Sequence, residues 1–408
     1  MEIRPILSAM SRNKAGAILI AVQIAITLAI LCNALFIIEQ RLASSKRPSG
    51  ADEANVFVIG NQWVGNPPDL SARLQGDLAA LRALPGVVDA YASNSFPLND
   101  GGSTTGVSLH PDQETPMALA ALYFADEHTL QGLGLKLIAG RNFTSAEIAD
   151  KAGYTDMVQP PGLIITRVLA EKLFPNATAV GQFIYDEARR EKTPVIGVID
   201  RLQVPWVQAG GWGGSFFENS ILEPFHLVVP RYYYIVRAKP GQLAPLMQAA
   251  QKKLFDISRS RVIRKTESLV AARDEAYKDD RGLVVILTVV CVALLAVTAF
   301  GIVGLTSYWV AQRRRHIGIR RALGATRNAV IQYFQTENLL IAGVGAAIGV
   351  VLAVALNLWM VTAFEMQRLH TGYALVGAGA VLLLGQAAVL WPALRAASIP
   401  PALATRAV

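Results

Sequence analysis

Apolar residues fall into two regimes along this chain. Four stretches, 15–38, 283–310, 338–364 and 373–391, contain no Asp, Glu, Lys, Arg or His and are 19 to 28 residues long. A helix needs about 20 apolar residues to cross a hydrocarbon layer about 30 Å thick. In lipid, every backbone polar group must be satisfied within the segment. The four stretches are therefore predicted as transmembrane helices. Between the first and second, residues 39–282 instead alternate short apolar runs with turn residues.

Within that region, 56–60 reads as a strand. Asp69, after Pro67-Pro68, is a predicted N-cap for a helix whose Leu70, Leu74, Leu78, Leu81 and Leu84 form one stripe. Pro85-Gly86 stops it, and 87–92 reads as a strand. A second strand-helix-strand unit closes the region. Residues 232–236 are β-branched and aromatic, Leu243, Leu246, Met247, Ala250 and Leu254 mark a helix, and 261–265 is a short strand. Two split units predict a ferredoxin-like porter lobe over about 50–100 and 228–265, with a second α+β lobe inserted over 101–227. In the insertion, 162–165, 183–185 and 194–200 read as strands, and Thr166 caps a short helix that Pro175 ends. Trp206, Trp212, Phe216 and Phe217 surround a Gly-rich stretch. They read either as an exposed periplasmic recognition loop or as side chains packed on the domain's own sheet. Residues 266–282 have helical spacing and lead into the second apolar stretch. A continuous helix over 266–310, about 67 Å long, is predicted as a stalk. Residues 39–46 extend the first helix in the same way.

Composition sharpens this picture. Of 408 residues, 52% are hydrophobic and only 17% charged, below the quarter usual for soluble domains. The net charge of +8 is unevenly placed. Residues 39–282 hold 26 basic and 27 acidic residues, whereas the N-terminal tip, 311–337 and the C-terminal tail hold 11 basic and two acidic ones. An excess confined to short segments beside spans follows the positive-inside rule and argues against nucleic-acid binding. It predicts a cytoplasmic N-terminus (1–14), an external domain (39–282), a cytoplasmic loop (311–337), a short external loop (365–372) and a cytoplasmic tail (392–408). The first apolar run is too long for a signal-peptide core, so it reads as an uncleaved anchor. The two cysteines, Cys32 and Cys291, both lie in spans at similar predicted depth. They read as small buried residues or as thiols on neighbouring helices.

The chain carries no GxxxxGK[ST] loop, HExxH, Cys-x-x-Cys pair or GxSxG elbow. No catalytic, cofactor-binding or metal site is expected on it, and His128 beside Glu127 reads as a surface pair. The spans also lack the intramembrane charges that mark transport pathways. Gln23, Asn33, Asn357 and Gln386 read as interhelical hydrogen-bonding groups. Gly345-x-x-x-Gly349 permits close helix packing, within the chain or across a dimer.

The segment 312–327 is the most ordered short pattern. Ile317, Arg321 and Gly324 share one helical face, and Ile331, Phe334 and Gln335 continue a second amphipathic turn. Such a basic amphipathic helix rests on anionic lipid or docks a cytoplasmic partner. Here the chain resembles the FtsX-like permeases of ABC transporters, and among them the MacB type. The family pattern is a basic run, Ile-Gly-Ile-Arg, Ala-Leu-Gly-Ala and a Glu before the next span. This chain has Arg313, Arg314 and Arg315, then Ile317-Gly318-Ile319-Arg320-Arg321, Ala322-Leu323-Gly324-Ala325 and Glu337. His316 stands where the family usually has Glu. Leu84-Pro85-Gly86-Val87, Gly140-Arg141-Asn142-Phe143, Val180-Gly181-Gln182 and Trp391-Pro392-Ala393 resemble further family segments.

The resemblance implies a permease without a nucleotide-binding domain, working by mechanotransmission in the bacterial inner membrane. Arg313, Arg314, Arg315, His316, Ile317, Gly318, Arg320, Arg321, Leu323, Gly324, Ala325 and Glu337 are the implied ATPase-coupling residues. The implied partners are a separate ABC ATPase holding ATP and Mg, and a second permease, identical or paralogous. A periplasmic adaptor and an outer-membrane channel are optional further partners. Export or efflux of peptides, antibiotics or other amphiphiles is the leading expectation. The alternatives are lipoprotein release and non-transporting regulation of cell-wall hydrolases.

Overall fold

The computed structural model describes residues 14–113, 115–154, 156, 158–187, 192–207, 216–364 and 368–398. The chain divides into two compact units, Lys46–Asp279 and Met1–Ser45 with Asp280–Val408. Helix α1 (Lys14–Ser45) carries the first apolar stretch and continues past Glu39, as expected.

The Lys46–Asp279 unit begins with β1 (Val56–Trp63), α2 (Leu70–Arg82) and β2 (Val87–Ser93). An insertion follows: β3 (Ser103–Ser108), β4 (Ala118–Phe124), α3 (Thr129–Leu133), β5 (Leu137–Gly140), β6 (Ala149–Lys151), β7 (Leu163–Thr166), α4 (Arg167–Leu173), β8 (Phe183–Asp186), β9 (Lys192–Ile199), β10 (Ser220–Glu223) and β11 (Phe225–Leu227). The chain returns in β12 (Arg231–Ala238), α5 (Leu243–Ile257) and β13 (Arg261–Ser268). The four flanking strands form an antiparallel sheet in the order β13-β1-β12-β2. This is the interleaving of two split units that the periodicity predicts. Both faces are covered, which is why β1 reads as an unbroken apolar run. Phe57 and Ile59 pack under Leu74 and Leu78 of α2 and Leu246 and Leu254 of α5. Val56 and Val58 face the insertion with Tyr91, Tyr123 and Leu222. Asp69 occupies the N-cap position of α2 without a capping bond, because Arg73 Nε donates to its carboxylate at 2.7 Å.

The insertion holds a closed ring of six strands, β9-β7-β10-β4-β3-β8, in which β8 pairs back onto β9. β5 adds to the C-terminal half of β9. Val107, Leu122, Leu163, Ile184 and Ile221 line a residual space of only about 10 Å3, roughly one water.

The predicted continuous helix over 266–310 does not form. Thr266 and Glu267 still pair with Ile59 and Val58, so β13 runs to Ser268. Ser268 Oγ then accepts from Ala271 N at 3.1 Å and starts α6 (Leu269–Ala276). Leu269 and Ala272 are buried in the domain core, so α6 belongs to the domain and is not a free stalk. Tyr277 interrupts the helix before α7 (Lys278–Gln312). Its ring is fully buried and its hydroxyl accepts from Gln203 Nε2 at 3.1 Å.

The other unit continues with α8 (Arg314–Ala322), α9 (Arg327–Phe364) and α10 (Thr371–Ala397). Helices α1, α7, α9 and α10 are long and apolar enough to cross a membrane, which makes this a multi-pass membrane protein. The third begins at Arg327, well before the apolar run at 338, and the fourth passes through Pro392. α1 is the enclosed one. A Cβ at Gly345 would stand 2.7 Å from Ala21 O, and one at Gly349 2.9 Å from Ala25 O. The small-residue motif therefore seats α9 against α1 within the chain. α7 meets α1 through Thr27 Oγ1–Thr298 Oγ1 (2.9 Å), Gln23 Nε2 donating to Val297 O (3.0 Å) and Arg41–Asp280 (2.9 Å). That antiparallel register sets Cys32 and Cys291 at one level, but Cys32 Sγ turns to α10, 3.6 Å from Tyr373 O. Asn33 Nδ2 donates to Ala353 O at 3.1 Å, and Asn357 Oδ1 accepts from Leu369 N at 2.8 Å. Gln386 Nε2 has no hydrogen-bond partner among the described residues.

Candidate coupling site

The short helix α8 is set off at both ends by local chemistry. Arg313 leaves helical geometry (φ −96°, ψ 11°) between α7 and α8, while its N–H still donates to Trp309 O at 2.9 Å. At the other end, Gly324 adopts φ +97°, a conformation that favours glycine. Ala325 N donates to Arg320 O (3.0 Å) and Gly324 N to Arg321 O (3.2 Å). These are the two bonds of a Schellman termination. Thr326 Oγ1 then accepts from Ala329 N at 3.2 Å and starts α9. The Ala-Leu-Gly-Ala-Thr run is thus a helix stop followed at once by a helix start.

Three contacts pin α8 to its own bundle. Arg313 Nη1 donates to both oxygens of Glu337, at 3.0 and 2.9 Å, and Glu337 is nearly buried. Arg321 Nη1 donates to Ala397 O at 2.9 Å, a carbonyl in the last turn of α10 that has no helical partner of its own. Ile317 is buried in a cluster with Trp309, Val330, Phe334 and Ala393. Gly318 is buried beside it, and the Arg320 guanidinium lies 5.3 Å from the Tyr333 ring centre.

The opposite face is open. Arg314, Arg315 and His316 are exposed, Ile319 is 44% exposed and Leu323 82%. Among the described residues, neither Arg314 nor Arg315 pairs with a carboxylate. The residues singled out from sequence therefore sort into anchors (Arg313, Ile317, Gly318, Arg321, Glu337), a turn (Gly324, Ala325) and an outward face (Arg314, Arg315, His316, Leu323). Arg320 lies between face and anchor. Ile319 completes the outward face. It is the residue that periodicity could have marked, since it lies four positions from both Arg315 and Leu323.

The aromatic recognition loop has a different outcome. Phe216 is buried, and Trp206 and Phe217 pack half-buried on the domain core. Arg47 covers Phe217 at 3.8 Å. These three are core residues rather than an exposed patch, while Trp212 lies outside the described residues. His128 likewise pairs with Asp89 at 3.0 Å more closely than with Glu127 at 3.8 Å.

Comparison with known proteins bears on the whole chain. The profile of the MacB-like periplasmic core domain matches residues 16–254, more than half of the sequence. That of the FtsX-like permease C-terminal matches 288–401. The macrolide export ATP-binding/permease protein MacB of Chromobacterium violaceum is 27% identical over 237 residues, covering 54% of this chain and 32% of that protein. MacB of Neisseria meningitidis serogroup A is 24% identical over 329 residues, covering 76% and 46%. The chain spans about half or less of the length of these curated relatives. The crystal structure of the periplasmic region of MacB from Actinobacillus actinomycetemcomitans overlaps 55% of this chain and 94% of its own at 15% identity, with a TM-score of 0.34. That of the extracellular domain of the ABC-type transporter YknZ overlaps 51% and 100% at 16% identity, with a TM-score of 0.32. With the core-domain profile over most of the first 254 residues and the permease profile over the last spans, the chain belongs to the FtsX-like, MacB-type permeases of ABC transporters.

Proposed function

We propose that this permease serves a bacterial inner-membrane exporter that works by mechanotransmission, with the Lys46–Asp279 unit in the periplasm. An ABC ATPase, carrying ATP and Mg2+, docks on the outward face of α8. Arg314 and Arg315 offer it charge, and Ile319 and Leu323 offer apolar contact. The carrying observation is that α8 is pinned on one side through Arg313–Glu337 and Arg321–Ala397 while its other side, at Arg314 and Arg315, meets no carboxylate among the described residues. A push on such a helix reaches α7, α9 and α10 together. Spans without charge fit the role of rods better than that of a wet pathway. A second permease, identical or paralogous, completes the pair, and an adaptor with an outer-membrane channel would extend the route outward. Peptides, antibiotics or other amphiphiles are the cargo class, in keeping with relatives named for macrolide export.

The test is co-purification with the ABC ATPase from the native host. R314E/R315E and L323D should each release the ATPase while leaving the melting temperature of the permease unchanged. Retention of the ATPase by the combined variant would remove α8 as the dock. Failure of any ABC ATPase to accompany the wild type would end the exporter reading.

A further inference from the structure

The last turn of α10 is held by another helix. Arg321 of α8 donates to Ala397 O at 2.9 Å, and Ala393, Ala396 and Ala397 are buried in the same cluster as Ile317. Just upstream, α10 runs through Pro392, which is buried. Proline has no N–H, so it cannot donate to the carbonyl four residues earlier, on Ala388. Ala388 packs against the core of the bundle. The helix therefore carries a backbone acceptor that has lost its helical donor, in a span where the hydrocarbon layer offers no water. Prolines of this kind are where long helices bend.

α9 brings a group with the opposite need. Asn338 is 4% exposed, and its Nδ2 has no hydrogen-bond partner among the described residues. A Cβ on Gly385 would stand 3.3 Å from that nitrogen, so the amide lies against α10 three residues before Ala388. The two helices run antiparallel, since Asn357 meets Leu369 while Asn338 meets Gly385. Side chains lean toward the start of their own helix, so Asn338 leans along α10 toward Ala388. Three residues of helix span about 4.5 Å. A buried amide without an acceptor and a carbonyl without its helical donor thus lie less than one turn apart. Each is costly as it stands, and one small movement would satisfy both. Gln386 Nε2 also has no partner, but it belongs to α10 itself and leans away from Ala388.

We propose that α10 carries a hinge at Pro392, with Asn338 of α9 as its catch. In one state, that of the structure, α10 is continuous and both groups go unmet. In the other, the turn 393–397 swings with α8, the backbone opens at Ala388, and Asn338 Nδ2 donates to Ala388 O. The unmet groups raise the first state toward the second, so the permease populates both without a partner. The hinge lies beyond the docking role of α8 and is tested on the permease alone, so loss of the ATPase dock would leave it standing.

The experiment is a spin-label distance measurement, by double electron–electron resonance, on the full chain in lipid nanodiscs. The labels go on Y308C and L394C in a C32A/C291A background. Tyr308 and Leu394 are 62% and 50% exposed, and their neighbours Trp309 and Ala393 share one buried cluster, so the pair spans the bundle at the level of the hinge. Two distance populations are expected. P392A restores the missing donor and N338L removes the catch, so each should lose the same one of the two. Both variants also remove an unmet polar group, which keeps them folded for the measurement. Q386L deletes an orphan amide that is no part of the catch and should keep both populations. The inference is overturned by a single population in the labelled parent, as a fixed water bridging Asn338 and Ala388 would give. It is equally overturned if both populations persist in P392A or in N338L, or if Q386L loses one.

Discussion

Arg261 and Asp77 form an ion pair with essentially no solvent exposure, at 0% and 1%. Both guanidinium Nη atoms donate to the carboxylate, at 2.7 and 2.9 Å, and Tyr234 OH donates to Asp77 Oδ2 as well. The network continues through Tyr232 OH to Trp63 Nε1 at 3.0 Å. Removing one charge strands the other, so R261A or D77N should lose about 3–5 kcal/mol in denaturant unfolding. A hydrophobic double replacement, R261M/D77L, should regain much of that loss. Glu53 makes a milder case. Burial pushes its carboxyl up, but the bidentate Arg273 contact at 2.7 Å and the Ser49 hydroxyl outweigh it and hold the group below the ordinary range. A carboxyl lowered by folding contributes stability above its ordinary value of about 4.3, and that contribution fades as pH falls through the lowered one. E53Q should therefore cost about 1–3 kcal/mol at neutral pH. Its melting temperature should converge with that of the wild type in acid, and a constant gap down to strongly acidic pH would contradict this.

Helix packing explains why two glycines of α9 matter and a third does not. Gly345 and Gly349 touch the backbone of α1, whereas a Cβ at Gly343 would meet nothing within 4 Å. G345L and G349L should each lower stability by about 1–3 kcal/mol through overpacking. They should also broaden the gel-filtration profile, while G343L behaves as wild type. If all three variants behave alike, the α1–α9 contact is not the seam described. At the same scale, α8 shows how the predicted amphipathic helix is set apart from its neighbours. Gly324 and Thr326 close one helix and open the next, and Arg313 breaks the previous one. Each break spans one to four residues, so the reorientation is built into the sequence and needs no partner to induce it.

Over the whole molecule, sequence patterning reveals the parts that bury one continuous face. The four spans, the α2 stripe and both split units are legible because each apolar period is long and unbroken. The insertion is legible only in part, at β7, α4, β8 and β9, which fall on the predicted elements. β3 is Ser-Thr-Thr-Gly-Val-Ser and β4 is rich in alanine, compositions that signal loop or helix although their pairing partners make them strands. Leu269 and Ala272 have helical spacing whether they face lipid, water or a core, so the pattern predicts a stalk where tertiary contact makes a domain helix. In the coupling segment the sequence cannot separate Arg321, which holds Ala397, from Arg314 and Arg315, which face outward. The ring of strands in the insertion carries one last implication. Because β8 returns to β9, the outer strand this sheet keeps is the four-residue β5, a short rim on which to stitch a foreign peptide as an extra strand. Recognition by this part of the protein therefore falls mainly to side chains and connecting loops.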